Sequence, residues 1–430
     1  MFMNAQGPRY KTFVSLLGLT LPWMGCKQDD SSNARLEPNY LYAAALEIAE
    51  ESQLEKPLMD SQELLVEWFG TLDHPKLPPL MAGGDYKDLI NLEGLKIAAG
   101  QPAQTPEPGE TGLYRHQCAS CHGESGQGRG PVAASQNPYP REFRFGLFKY
   151  KSTPRRYKPT KADLAKSIRR GLAGTQMRAF DKLTDKQVDA LVDYVIYLSI
   201  RGEFERKLIF QAAYELDLEK ERIYSSELAA KSDDESKKTL KSQLDTAEEI
   251  LTEIVDMWVE SPDMEEEVKL PSIPLVGSVT DDNRGQWEAS VARGKTLFAS
   301  EEAACSKCHG VSAKGDGAQL PDYDDWTKDW TSKIGIKPTN TEELLPLMAR
   351  GGMKPQPLAA RNLVEGKFRG GRDPKDIYRR IKQGIVGAPM PAATIVSSPD
   401  QKGLTEDDVW HIVNYVLSIA EPEAPALASK

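Results

Sequence analysis

Two copies of one pentapeptide constrain this chain more than any other feature: Cys118-Ala119-Ser120-Cys121-His122 and Cys305-Ser306-Lys307-Cys308-His309. Two thiols one helical turn apart, followed at once by an imidazole, have the spacing of a c-type haem attachment site. Each thiol can form a thioether with a haem vinyl group, and the histidine can then reach the iron as proximal ligand. A bare Cys-x-x-Cys reads equally as half a zinc site or as a redox dithiol. Zinc, however, needs four ligands brought together, and these pairs lie far apart, each with its own histidine. The expectation is two covalently attached haem c groups, bound through Cys118 with Cys121 and Cys305 with Cys308, with His122 and His309 on the irons.

Four of the five cysteines are used in this way, so no disulfide framework is available and Cys26 is left over. Before it, Arg9 and Lys11 precede an apolar run from Thr12 to Leu21, then Pro22-Trp23-Met24-Gly25. A basic start, a short apolar run and a small residue before the break form an export signal. The run is too short to span a bilayer. Gly25-Cys26 resembles a bacterial lipoprotein processing site, which implies acylation of Cys26 and a protein anchored to the membrane on its periplasmic side. The alternative is an ordinary signal with Cys26 incidental. The formal charge of −10 argues against general nucleic-acid binding.

The two motifs belong to a longer internal repeat. Leu113-Tyr114 before the first corresponds to Leu297-Phe298 before the second. The run from Arg141 to Phe148 lines up on that from Arg361 to Phe368, and Gly171-x-x-Gly174-x-x-Met177 on Gly384-x-x-Gly387-x-x-Met390. Thr184 with Gln187, and Thr405 with Asp408, form N-cap pairs that open two closing helices. These carry matching apolar stripes, Val188, Leu191, Val192 and Val195 against Val409, Ile412, Val413 and Val416.

Each repeat resembles a class I cytochrome c domain: a helix ending at Cys-x-x-Cys-His, a looping middle, a distal methionine and a C-terminal helix. The resemblance implies an all-α fold with two such domains, at 109–202 and 285–421. It also implies Met177 and Met390 as the second axial ligands, since thioether sulfur opposite histidine suits haem iron and raises its potential. Arg178 stands where proline follows Met390. Met348 and Met353 compete in the second repeat without counterparts in the first. Core filling is the ordinary role of any methionine. The aligned Arg141 and Arg361 could each pair with a haem propionate; an ordinary surface arginine is the alternative.

Around these domains the chain divides into a signal at 1–26, a region of unassigned role at 27–108, an acidic helical connector at 203–284 and a tail at 422–430. Asp60 with Glu63 reads as a helix start, and residues 101–109 as a Pro-rich linker. Tyr323, Trp326 and Trp330 read as packing residues, and His74, His116 and His411 as loop or helix-surface residues. Net charge is uneven. Residues 109–202 hold 17 Lys and Arg against 8 Asp and Glu, and residues 203–284 hold 10 against 22. Lys149, Lys151, Arg155, Arg156, Lys158 and Lys161 could form a docking patch for an acidic redox partner, or neutralise the chain's own acidic connector.

Function follows from coordination. Irons closed on both faces shuttle single electrons, either as a free carrier or as a haem subunit of a respiratory oxidase or reductase complex. An enzyme of the dihaem cytochrome c peroxidase kind would need one iron open to peroxide.

Overall fold

The computed structural model describes residues 36–50, 53–101, 112–318, 322–323, 335–398 and 401–422. The signal segment with Cys26, residues 102–109 of the linker, Trp326, Trp330 and residues 423–430 lie outside them. The fold is all-α: fourteen α-helices among the described residues, with short 3-10 turns between them, and one antiparallel pair of two-residue strands, β1 (Asp322–Tyr323) and β2 (Pro357–Leu358). No helix among the described residues is long and apolar enough to cross a membrane.

The N-terminal region supplies α1 (Tyr40–Glu50), α2 (Glu55–Phe69) and α3 (Leu92–Ala98). In the first module α4 (Leu113–Gln117) and α5 (Ala119–His122) carry the haem motif, followed by α6 (Lys161–Arg170) and α7 (Asp185–Glu215). Then come α8 (Ser226–Ala229) and α9 (Asp234–Val259). The second module has α10 (Arg284–Ala299), α11 (Cys305–His309), α12 (Thr341–Ala349), α13 (Pro374–Gln383) and α14 (Glu406–Ile419).

Helix α7 is the axis of the first half. Its start is a capping box, Thr184 with Gln187, and the same device with Asp408 at Thr405 opens α14. A helix apolar on every side is a buried helix. Accordingly Val188, Leu191, Tyr194, Ile196, Tyr197, Ile200 and Phe204 are all buried on α7, surrounded by α2, α3, α6 and α9. The helix does not stop at Gly202, where the domain was expected to end. Gly202 is instead a contact point, because a Cβ there would lie 2.5 Å from the Arg144 Cα. The apolar stripe at Phe204, Leu208 and Ala212, read above as part of a separate connector, continues this one helix.

The first core is therefore larger than the repeat. Leu64, Leu65, Trp68 and Phe69 of α2 join it, as do Leu251, Ile254, Val255 and Trp258 of α9. Trp68 stacks on Phe204 at 5.5 Å. Asp60, far from starting a helix, lies buried within α2, where the Arg222 Nε donates to its Oδ2 at 3.0 Å. The first module also begins earlier than residue 109. Gly94 of α3 approaches Ala190 on α7, with 3.5 Å from a would-be Cβ to the Ala190 Cα. In the second module Gly294 of α10 meets the backbone of His411, the residue aligned with Ala190, so closely that any Cβ would overlap the carbonyl. Helix α3 does for α7 what α10 does for α14, with the linker inserted between it and the haem motif.

A second core gathers Leu297, Phe298, Ile377, Tyr378, Trp410, Val413 and Tyr415. A third, small cluster joins the halves: Leu41, Ala44 and Ala45 of α1 pack on Ile336, Leu344 and Leu347, beside Tyr139 and Phe145 of the first module. Met348 and Met353 are part of this cluster, as core filling.

Candidate haem sites

The two motifs close into the same backbone structure. Gly123 N–H donates to the Ala119 carbonyl at 2.8 Å, Gly128 to His122 at 2.7 Å and Gly130 to Cys121 at 3.0 Å. In the second module Gly310, Gly315 and Gly317 repeat these bonds to Ser306, His309 and Cys308 at 2.9, 2.8 and 3.1 Å. The last glycine of each set is obligatory, since a Cβ would overlap the carbonyl of Ser120 in one copy and of Lys307 in the other. These glycines were not singled out above. The signal was there: glycine recurs at the sixth and eighth positions after each histidine.

Each histidine is then fixed by a backbone carbonyl. The Nδ1 of His122 lies 2.9 Å from the Arg141 carbonyl, and that of His309 lies 2.9 Å from the Arg361 carbonyl. The carbonyl accepts from Nδ1–H and leaves the Nε2 lone pair free to ligate, the arrangement by which a second partner orients a ligating histidine. The separation along the chain is 19 residues in the first module and 52 in the second. The longer span contains β1, α12 and β2, and α12 packs on α1. Phe143 stacks on the His122 ring at 4.6 Å. Burial lowers the pKa of both histidines, so the imidazoles are held neutral, as ligation requires.

The methionine loops also repeat bond for bond. Leu172 N–H donates to the Met177 carbonyl at 3.0 Å, and Ile385 N–H to the Met390 carbonyl at 3.1 Å. Thr175 to Leu172 and Ala388 to Ile385 close the turns at 3.1 and 3.2 Å. Gly171 (φ +64°) and Gly384 (φ +67°) open them, in a conformation where a Cβ would press on Met177 O and Arg178 C, or on Met390 O and Pro391 C. The Arg178 for proline difference therefore leaves the loop backbone alike. The Met177 N–H has an additional acceptor in the Thr175 hydroxyl at 3.1 Å.

The donor set fits haem c. The four motif thiols are free of disulfides and half-buried. Burial pushes the Cys118 thiol up to about 12 and the Cys305 thiol to about 11, which suppresses the reactive thiolate. Cys121 Sγ accepts from Gln136 Nε2 at 3.0 Å. Among the described residues no three His, Cys, Asp or Glu side chains converge to hold a metal, so the zinc alternative has no four-ligand site there.

The other singled-out residues fall elsewhere. His116 is exposed, and His411 Nδ1 pairs with the Ser290 hydroxyl of α10 at 2.8 Å. For Arg141 and Arg361 the structure brings the carbonyl within hydrogen-bond distance of the histidine, and the positive charge of each side chain is near enough to help hold that imidazole neutral. The basic stretch is divided, with two of its six cations internal. Lys151 is buried and donates to the carbonyls of Pro154 and Arg155 at 2.9 and 3.0 Å, and to that of Tyr157. Lys158 is buried against Glu203 at 2.6 Å. Arg155, Arg156 and Lys161 are the exposed members, Lys161 pairing with Asp193 at 2.7 Å.

Repeated histidine anchors, repeated glycine turns and a closing capped helix in each half define two cytochrome c-type domains in tandem, as in a dihaem c-type cytochrome. Residues 107–195 match the family described as cytochrome c oxidase, cbb3-type, subunit III, and residues 291–420 match the family described as cytochrome c. Such domains imply covalently bound haem c with iron, and haem-based electron transfer. A chain of the Kuenenia stuttgartiensis reducing HAO-like protein complex is similar at 22% identity and a TM-score of 0.41, over 77% of this chain and 97% of that one. No curated protein matches the chain.

Proposed function

We propose that the chain is a two-haem electron-transfer protein of a bacterial respiratory chain, a carrier or a fixed subunit, exported to the periplasmic side and tethered there by an acylated Cys26. Haem c, when bound, supplies a one-electron iron couple. The supporting observation is the repeat of both axial devices, the carbonyl-held histidine and the glycine-opened methionine loop, in each half. In this reading Cys118 with Cys121 and Cys305 with Cys308 form the thioethers. His122 with Met177 and His309 with Met390 occupy both faces of each iron, which leaves no face for a substrate. Arg141 and Arg361 offer guanidinium groups to propionates. The third cluster, through α1 and α12, holds the two halves in one orientation, which suits transfer between them and then to an external redox protein.

Intact mass of the loaded protein tests the count, with the polypeptide plus two haems expected. One haem, or haem extractable by acid acetone, refutes it. Paramagnetic resonance of the oxidised protein tests the ligands: two low-spin signals are expected, whereas a substantial high-spin population that turns over peroxide would make the protein a peroxidase.

A further inference from the structure

The two modules meet along a seam on which the distal loop of the first faces the histidine-anchoring segment of the second. A Cβ placed on Gly174, midway in the Met177 loop, would lie 3.5 Å from Arg361 Nη1 and 3.6 Å from the Cβ of Lys367. Arg361 is also the residue whose carbonyl holds His309. One residue thus reaches the proximal side of one site through its backbone and the distal loop of the other through its side chain.

The seam is held in register on both sides of this contact. Arg380 Nη1 donates to the Lys149 carbonyl at 2.8 Å and Nη2 to the Lys151 carbonyl at 2.5 Å. Lys166 of α6 pairs with the buried Asp376 of α13 at 2.6 Å. Gln356 Nε2 donates to the carbonyl of Gln136, the residue whose own side chain meets Cys121. Arg361 itself has no ion pair with a carboxylate among the described residues. Burial and the like-charged Arg369 disfavour its charge, against smaller favourable contributions from Tyr150 and Glu365. A guanidinium remains protonated regardless. The result is a half-buried positive charge that lies beside the distal loop of the first site and close to His309 of the second.

We propose that Arg361 is a positioning residue shared by the two haems, whose charge favours the reduced state of the first as well as the second. This rests on the reading of Met177 and Met390 as ligands. A unit charge some ~10–15 Å from an iron, at an effective dielectric near ~20, is worth a factor of about three to ten in each reduction equilibrium once solvent screening is included. Tenfold corresponds to ~59 mV for a one-electron couple.

The test is spectroelectrochemical titration of the haem-loaded full chain as wild type, Arg361→Gln and Arg361→Lys. Met390→Ala serves to assign which potential belongs to the second module. Arg361→Gln should lower both reduction equilibria by about three- to tenfold, and Arg361→Lys, which keeps the charge, should restore most of the change in the first module. A change confined to the second module overturns the proposal, and so does a lysine variant as impaired as the glutamine one. The underlying ligand reading fails separately: a Met390→Ala variant that retains no sulfur-to-iron absorption refutes Met177 ligation whatever Arg361 does. Sulfur-to-iron absorption that survives in Met390→Ala, together with only one potential that moves in Arg361→Gln, refutes the Arg361 proposal alone.

Discussion

Two glycine-to-alanine substitutions in helices should have opposite signs. In a helix interior alanine is favoured over glycine by roughly 0.8–1.0 kcal/mol, so propensity alone makes both changes stabilising. At Gly285, exposed in the first turn of α10, a Cβ meets nothing within 4 Å. Gly285→Ala should therefore stabilise by about 0.5 kcal/mol. At Gly202 the same atom lands 2.5 Å from the Cα of Arg144 and overlaps its Cβ and Cγ. Arg144 is fully buried, with its Nε on Glu142 at 2.7 Å, so it has no rotamer into solvent. Backbone must move, and overpacking of this kind costs about 1–3 kcal/mol or more. Because the overlap reaches the Arg144 backbone, the upper end of that cost applies, and net of the propensity gain Gly202→Ala should destabilise by about 2 kcal/mol. Because Arg144 adjoins Phe143, which stacks on His122, the first module should also register the change in its haem spectrum. Denaturant unfolding of the haem-loaded protein, followed at the haem band and by circular dichroism, measures both effects. If Gly202→Ala is neutral or stabilising, α7 does not need this close contact and the account of its length is wrong.

The histidines predict an acid dependence. Both have folded-state pKa values below the usual one, so the unfolded chain binds more protons as pH falls below about 6.5. Their contribution is fully present above that pH and declines toward the lower folded values, by at most about 1.4 kcal/mol per pH unit for each. Unfolding midpoints of the apo chain at pH 7.5, 6.5 and 5.5, compared with a His122→Gln variant, should differ in slope; equal slopes would remove the histidine from the account. Arg222→Met should cost about 3 kcal/mol by stranding the buried Asp60 carboxylate, and should loosen the first haem module along with the N-terminal region. Proteolysis that releases residues 36–98 while α7 stays protected would contradict a shared core.

What was legible in the sequence is what covalent chemistry and local spacing require. The cysteines and histidines are bound to one helical turn, and the glycine–methionine loops are short enough for alignment to find. The capping boxes needed four residues each. Residues 92–98 escaped because α3 is cut off from its module by a linker, although its Gly94 makes the contact that Gly294 makes in the other repeat. The carbonyls of Arg141 and Arg361 escaped for a different reason, since a backbone acceptor has no side-chain signature. Lys151 and Lys158 show the limit of counting charges: a stretch rich in lysine looks like a surface until the carbonyls and the carboxylate around each ammonium are known. Gly202 reads as a helix end in a string of letters and is a helix crossing in space.

The small cluster between α1 and α12 has a consequence for the order in which the chain can become itself. Leu41, Ala44 and Ala45 leave synthesis well before Ile336, Leu344 and Leu347, which emerge only when the second module is well under way. Contacts between segments so distant in the chain form late, after the local ones have accumulated. The first half can complete its own core once Trp258 is available, yet α1 then waits with an apolar face open to water. During that interval the nascent protein is a finished half with an unfinished edge, the kind of intermediate that associates wrongly with its neighbours. Closing the edge is the step at which two separately folded halves become one object.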